Sequence, residues 1–168
     1  ITKLNEELLI QNSILKDAER LAKIGSFFWY MDKPYASISD NFYAMLGYEP
    51  GGFEASFQRY REFVHPDDLA MYDKNIERLR EKLLIKESTY RIISKQGAIK
   101  YFKINGQFIS KNNKKVMIGV VQDVTQAIEA EAKLLESNLE LKNSNSELES
   151  FNRVASHDLQ EPLRKIQL

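Results

Sequence analysis

Ile99-Lys-Tyr-Phe-Lys-Ile-Asn-Gly-Gln-Phe-Ile-Ser110 decides the fold, because here the chain settles into a period of two. Tyr101, Lys103 and Asn105 alternate with Phe102, Ile104 and Gly106, the pattern of a strand that is wet on one face and packed on the other. A strand from Glu87 to Ser94 precedes it across the turn-like Lys95-Gln96-Gly97. Another, from Val116 to Val124, follows the turn-like Lys111-Asn112-Asn113-Lys114. Three strands joined in this way belong to an antiparallel sheet.

Working toward the N-terminus, Ser26-Phe-Phe-Trp-Tyr-Met31 is a continuous aromatic run, and Tyr35-Ala-Ser-Ile-Ser39 follows a Lys33-Pro34 turn; together they predict a strand pair. Asp40 is the expected cap of a short helix through Leu46, stopped by Gly47. A second short helix is predicted over Phe57 to Val64. His65-Pro66-Asp67-Asp68 then opens a longer one reaching about Leu84, with proline at an early position and acids in the first turn. Two strands, short helices, one long helix and three strands make an α+β domain over residues 24–125.

This order resembles a PAS sensor domain. Asn41-Phe42, Leu46-Gly47-Tyr48, His65-Pro66-Asp67-Asp68, the Gly97 hairpin and the closing Gly119-Val-Val-Gln-Asp123-Val124-Thr125 carry the likeness, over about 100 residues. The resemblance implies a five-stranded antiparallel sheet whose flanking helices enclose a small cavity. It also implies that Asp123 and Thr125 tie the last strand to an output helix and couple the signal to it. The flavin-binding photosensory subclass needs a reactive cysteine, and the chain has none. A haem would need His65, whose Pro-Asp-Asp context reads instead as a helix start. Trp29, Phe42, Tyr90, Phe102 and Phe108, together with Phe27, are candidate pocket residues, with plain core as the alternative for each. The identity of any ligand is not written in the sequence.

Helices are predicted on both sides of the domain. In residues 1–23, Ile1, Leu4, Leu8, Leu15, Ala18 and Ala22 keep heptad spacing if Gln11 takes one seam position, which suits either a coiled coil or a helix packed on the next domain. Gly25 is its expected end. On the other side Leu134, Asn138, Leu141, Asn145, Leu148, Asn152, Ala155, Leu159, Pro162 and Ile166 recur in steps of four and three. That period predicts a parallel homodimer whose seam asparagines fix register at a cost in stability, so that the seam can shift between two arrangements. The alternative is a solvated polar face with Leu135 and Leu139 marking a different seam. Residues 126–150 are then a signalling helix and linker, and residues 151–168 begin a second functional segment.

That segment holds His157 beside Asp158. A neutral imidazole nitrogen can attack a phosphoryl group near neutral pH, and an adjacent carboxylate can hold the proton of the other ring nitrogen. Ser156-His157-Asp158-Leu159-Gln160-Glu161-Pro162-Leu163-Arg164 closely resembles the phosphoacceptor box of bacterial sensor histidine kinases: His, an acid, Leu, two variable residues, Pro, Leu. The likeness covers about the last 18 residues. It implies that His157 is phosphorylated from ATP, with Asp158 as the assisting acid or base, and passes the phosphoryl group to an aspartate of a response-regulator receiver domain. Pro162 removes a backbone donor and crowds the carbonyl of Asp158, so it predicts a hinge just beyond His157, or else the helix end. Family members that also dephosphorylate their regulator commonly carry Thr or Asn where this chain has Glu161, which leaves phosphatase activity open. No Gly-rich ATP lid or Asn-bearing nucleotide box is present, so ATP and magnesium are expected in a separate catalytic domain and the chain alone should not phosphorylate itself.

Composition bounds the remaining classes. The chain has 168 residues, 43% of them hydrophobic, enough for one packed domain plus extended helices. Its 24 basic and 24 acidic side chains cancel, leaving no electrostatic footprint for nucleic acid or for a lipid surface. Without cysteine there is no disulfide framework or thiolate metal site, and no metal site is expected. No apolar run approaches the roughly 20 residues of a membrane span. The start at Ile1 and the stop inside a helical pattern suggest a piece of a larger protein, cytoplasmic here and free to carry a membrane segment elsewhere. Two other classes stay open: a non-enzymatic PAS and coiled-coil module with a degenerate His box, and a small-ligand-binding module dimerised by its helices.

Overall fold

The computed structural model describes residues 2–82, 87–111 and 114–166. The chain divides into two compact units, Ile1–Thr125 and Gln126–Leu168. In the first, α1 (Thr2–Ala22) leads into β1 (Ile24–Tyr30) and β2 (Ser37–Ile38). Then come α2 (Asp40–Leu46), α3 (Phe57–Arg61), a 3-10 turn (Pro66–Asp68) and α4 (Leu69–Lys82), and the unit closes with β3 (Ser88–Ile93), β4 (Ile99–Lys111) and β5 (Lys114–Asp123). The strands form one five-stranded sheet in the order β2-β1-β5-β4-β3, antiparallel throughout. This is the α+β architecture with flanking helices that the sequence pattern predicts.

Register explains which side chains point inward. Phe27 lies opposite Ile38 and Gly119, Trp29 opposite Met117, Tyr90 opposite Phe102, and Ile104 opposite Val121. Opposed residues share a face, so these side chains form one apolar surface. Onto it α2, the segment after α3, and α4 place Phe42, Leu46, Phe63, Val64 and Tyr72. Leu46, Ile92 and Phe102 are fully buried at the centre. Strands β4 and β5 bring Gly106 and Gly119 face to face. A Cβ at Gly119 would stand 2.4 Å from the Asn105 carbonyl oxygen and 2.5 Å from the Phe27 ring, so only glycine fits that crossing.

Several local expectations need correction. Gly25 does not end α1: it lies inside β1, where a Cβ would stand 2.6 Å from Phe42 Cβ, and Lys23 takes the left-handed turn instead, with φ 53°. Ser39, not Asp40, caps α2. Its extended backbone lets Oγ accept from Phe42 N, while Asp40 sits in the first turn and pairs with Lys16 at 2.8 Å. The helix predicted over Phe57 to Val64 stops at Arg61, because Val64 bridges to Ile92 of β3. The segment at His65 opens as a 3-10 turn before α4, and the expected end near Leu84 lies outside the described residues.

The last turns of α1 meet the domain. Glu19 accepts from Ser26 Oγ, and Asn41 Nδ2 donates to the carbonyls of Glu19 and Ile24. Leu4, Leu8 and Leu15 are exposed.

The second unit is helical. Helix α5 (Thr125–Ile166) runs 42 residues without a break, passing through Pro162 for four more residues, so Pro162 does not end it. Side chains from Glu161 onward, that of Pro162 included, lie outside the described residues, as does the side chain of Leu159.

Candidate functional site

A cavity of about 120 Å³ lies between the inner face of the sheet and the helices. Of the aromatics singled out in the sequence, Trp29, Phe42 and Tyr90 line it together with Phe27. Phe102 and Phe108 do not: Phe102 is fully buried core, and Phe108 lies opposite Met117 toward the far end of β4. Sequence reasoning missed the helical contribution, Tyr60 from α3 and Tyr72, Asn75, Ile76 and Leu79 from α4. Their signal was present, since 72, 75, 76 and 79 are the i, i+3, i+4, i+7 positions of one helix face.

The polar groups of the cavity are few. Asn75 Nδ2 donates to Ser88 Oγ at 3.0 Å and to the Tyr90 hydroxyl at 2.7 Å, and the Tyr72 hydroxyl donates to the Phe57 carbonyl at 3.0 Å. Tyr60 is different. Its hydroxyl oxygen is buried and finds no hydrogen-bond partner among the described residues. Burial, and then the phenols of Tyr72 and Tyr90, push its ionisation well above the usual tyrosine range. Burial likewise raises Tyr72. Tyr60 and Tyr72 therefore stay neutral phenols.

Ahead of α4, His65 Nδ1 accepts from Asp67 N at 3.3 Å and so starts the 3-10 turn. The neighbouring Asp68 accepts from Arg91 three times: from its backbone N at 2.8 Å, its Nη2 at 2.6 Å and its Nε at 3.2 Å. These charge-assisted bonds hold the Asp68 carboxyl below the usual carboxylate range and lock the turn onto β3.

Asp123 and Thr125 meet at the C-terminal end of β5, the central strand of the sheet. Asp123 Oδ1 accepts from Thr125 N at 3.0 Å and also from Thr125 Oγ1, which in turn accepts from Tyr101 N at 2.9 Å. Val124 N donates to the Tyr101 carbonyl at 2.9 Å, and Lys100 Nζ donates to the Met45 carbonyl at 2.7 Å while standing 3.8 Å from Asp123 Oδ2. The first residue of α5 is thus bonded to β4 and β5 by groups that need both side chains.

On α5, the His157 and Asp158 side chains are 77% and 72% exposed, open to an incoming reactant. His157 Nδ1 lies 3.5 Å from Asp158 Oδ1, close enough for the carboxylate to take the ring hydrogen after a small rotation. Ala155 and Leu159 each lie two residues from His157, about 200° around the helix, so His157 occupies the side opposite that seam.

Comparison with known proteins places the first unit. The family model described as PAS fold matches residues 35–121, and the chain belongs to that family. Over 130 residues the chain is 31% identical to the methyl sulfide methyltransferase-associated sensor of Methanosarcina acetivorans; the match covers 71% of this chain but 12% of that protein. A sensory box histidine kinase/response regulator structure from Burkholderia thailandensis superposes with a TM-score of 0.59 at 24% identity, covering 77% of this chain and 98% of that one. The N-terminal domain of a diguanylate cyclase with PAS/PAC sensor, from Marinobacter aquaeolei, gives 0.56 at 17% identity, covering 62% and 98%. These structures share the fold while their names carry different outputs, so the output must be argued from this chain's own residues. Among the described residues no helix is long and apolar enough to cross a membrane, and no group of acids and histidines could hold a metal ion.

Proposed function

We propose that the chain is the sensory and signal-transmitting part of a two-component sensor histidine kinase, with residues 24–125 as input, 126–150 as signalling linker and 151–168 as the start of the phosphoacceptor helix. The observation that carries this reading is that one helix, α5, begins at the Asp123–Thr125 junction and bears the exposed His157-Asp158 pair on its far part. About 30 residues of helix separate them, roughly 45 Å.

In this reading two copies pair along Leu134, Asn138, Leu141, Asn145 and Leu148. That seam turns His157 outward, whereas a seam through Leu135 and Leu139 extends to positions 153, 156 and 160 and brings His157 beside it. A change in the sensor domain alters the hold on Thr125 and shifts the seam. The shift changes the access of a separate ATP- and magnesium-binding catalytic domain to the imidazole. His157 nitrogen then attacks the γ-phosphorus: an N–P bond forms, the P–O bond to ADP breaks, and Asp158 holds the hydrogen of the other ring nitrogen. Transfer to a receiver-domain aspartate completes the cycle.

Supplying the chain with a sensor-kinase catalytic domain and labelled ATP tests this. The expected product carries a phosphate that is labile to acid and stable to base, and His157→Gln abolishes it. Absence of that label, or its persistence in the variant, overturns the phosphoacceptor role and leaves a PAS and coiled-coil interaction module.

A further inference from the structure

We propose that Arg153 receives the phosphoryl oxygens at His157: its guanidinium pairs with them as the N–P bond forms and holds them in the phosphohistidine. This rests on the phosphoacceptor reading of His157 and adds to it a residue outside the motif that carries the resemblance.

Helix geometry brings the two side chains together. Both lie within the unbroken helix α5, four positions apart, which sets them about 40° apart around the axis with Cβ atoms roughly 5–6 Å apart. The other neighbours of His157 on that surface are Val154, Gln160 and Glu161. Every Cα–Cβ bond of a helix tilts toward its N-terminus. A group carried by the His157 ring therefore lies over the turn of Arg153 and Val154 and away from that of Glu161. His157 Nδ1 faces Asp158 Oδ1 at 3.5 Å, which leaves Nε2 for the phosphorus.

Charge singles out Arg153. Between Lys142 and Arg164 it is the one Lys or Arg, against Glu147, Glu149, Asp158 and Glu161. A phosphoryl group brings more negative charge into this acidic stretch, and a guanidinium answers it with a forked, charge-assisted pair. Arg153 is exposed and makes no ion pair among the described residues, so none of them holds its donors.

The dimer seam decides whether the pair is available. With Leu134, Asn138, Leu141, Asn145 and Leu148 inside, positions 153 and 157 both face outward. With Leu135 and Leu139 inside, position 153 joins the interface, where Arg153 meets its own copy and is withdrawn from His157. Repulsion between the two arginines opposes that second seam, so the same residue favours the first arrangement and acts in it.

The test compares the whole 168-residue chain with Arg153→Ala, Arg153→Lys and Arg153→Glu, using two phosphoryl donors. One is a sensor-kinase catalytic domain with labelled ATP. The other is phosphoramidate, which phosphorylates a histidine nitrogen with loss of ammonia and needs no second protein. Mass spectrometry reads His157, with His65 as the internal reference in the phosphoramidate reaction. Arg153→Ala is expected to slow phosphorylation of His157 about tenfold with both donors, Arg153→Lys to restore part of the rate, and Arg153→Glu to slow it further. The rate at His65 and the melting temperature of the domain should stay at parental values. Parental speed of Arg153→Ala at His157 with either donor overturns the proposal, as does an equal slowing at His65. A parent that takes no label from ATP yet shows the phosphoramidate difference overturns the kinase reading alone, so the two fail separately.

Discussion

The PAS domain and helix α5 use the same residue types to opposite ends. In the domain, Leu46, Ile92, Phe102 and Val121 are less than 2% exposed and meet one another across sheet and helices. Along α5, Leu134, Leu135, Leu139, Leu141, Leu148, Phe151 and Val154 are each more than half exposed. A helix of 42 residues is long enough to persist by its own hydrogen bonds, well past the roughly 12–15 residues at which isolated helices are marginal. Its leucines do not serve that purpose, because their burial has to come from another surface. The domain is thus explained by contacts inside the chain, and α5 by a partner that we propose is a second copy.

Substitutions separate the two regions, from the largest expected effect to the smallest. Gly119→Val forces a branched side chain into the Asn105 carbonyl and the Phe27 ring; a loss of about 4 kcal/mol or more, against a total of roughly 5–15, should abolish the cooperative urea transition of the domain. Leu46→Ala should cost about 2–5 kcal/mol in the same titration, whereas Leu148→Ala on α5 should change the domain transition by no more than about 0.5 kcal/mol and instead weaken self-association in sedimentation. An equal effect of both on the domain transition would break the comparison.

Asp68→Asn should cost about 2 kcal/mol at pH 7, because it removes the charge from a mostly buried, triply bonded carboxylate. The folded-state value of Asp68 lies below its unfolded value. Its contribution is therefore fully present above the ordinary carboxylate range and fades as pH falls through it, so the parent and variant melting temperatures should converge in acid. The smallest effect is expected from Asn145→Leu, which should tighten self-association with no change in domain stability.

How much of this was legible in the sequence depends on what decided each feature. Period-two alternation around Phe102 placed β4 and its neighbours because only side chains of one face are buried. Periodicity reports the face but not the depth, however, which is why Phe102 and Phe108 were grouped with Trp29, Phe42 and Tyr90 although they do not line the cavity. Ser39 and Asp40 are both good caps, and only backbone geometry chooses between them. Gly25 read as a helix end because glycine is common there. Its real constraint is the approach of Phe42, a contact 17 residues away in sequence that no local rule shows. Tyr60 was overlooked for a similar reason: a tyrosine on a short polar helix reads as surface until the sheet it covers is known.

The exposed leucines of α5 can be tested directly, since the chain contains no cysteine. Single cysteines introduced at Leu134, Asn138, Leu141, Asn145 and Leu148, and separately at Leu135 and Leu139, report by oxidative cross-linking which positions face their counterparts closely enough to bridge. The account predicts rapid disulfide-linked dimers for the first set and slow or no linkage for the second, with His157 left on the outer side. Linkage concentrated at Leu135 and Leu139, or monomer at every position, would contradict it.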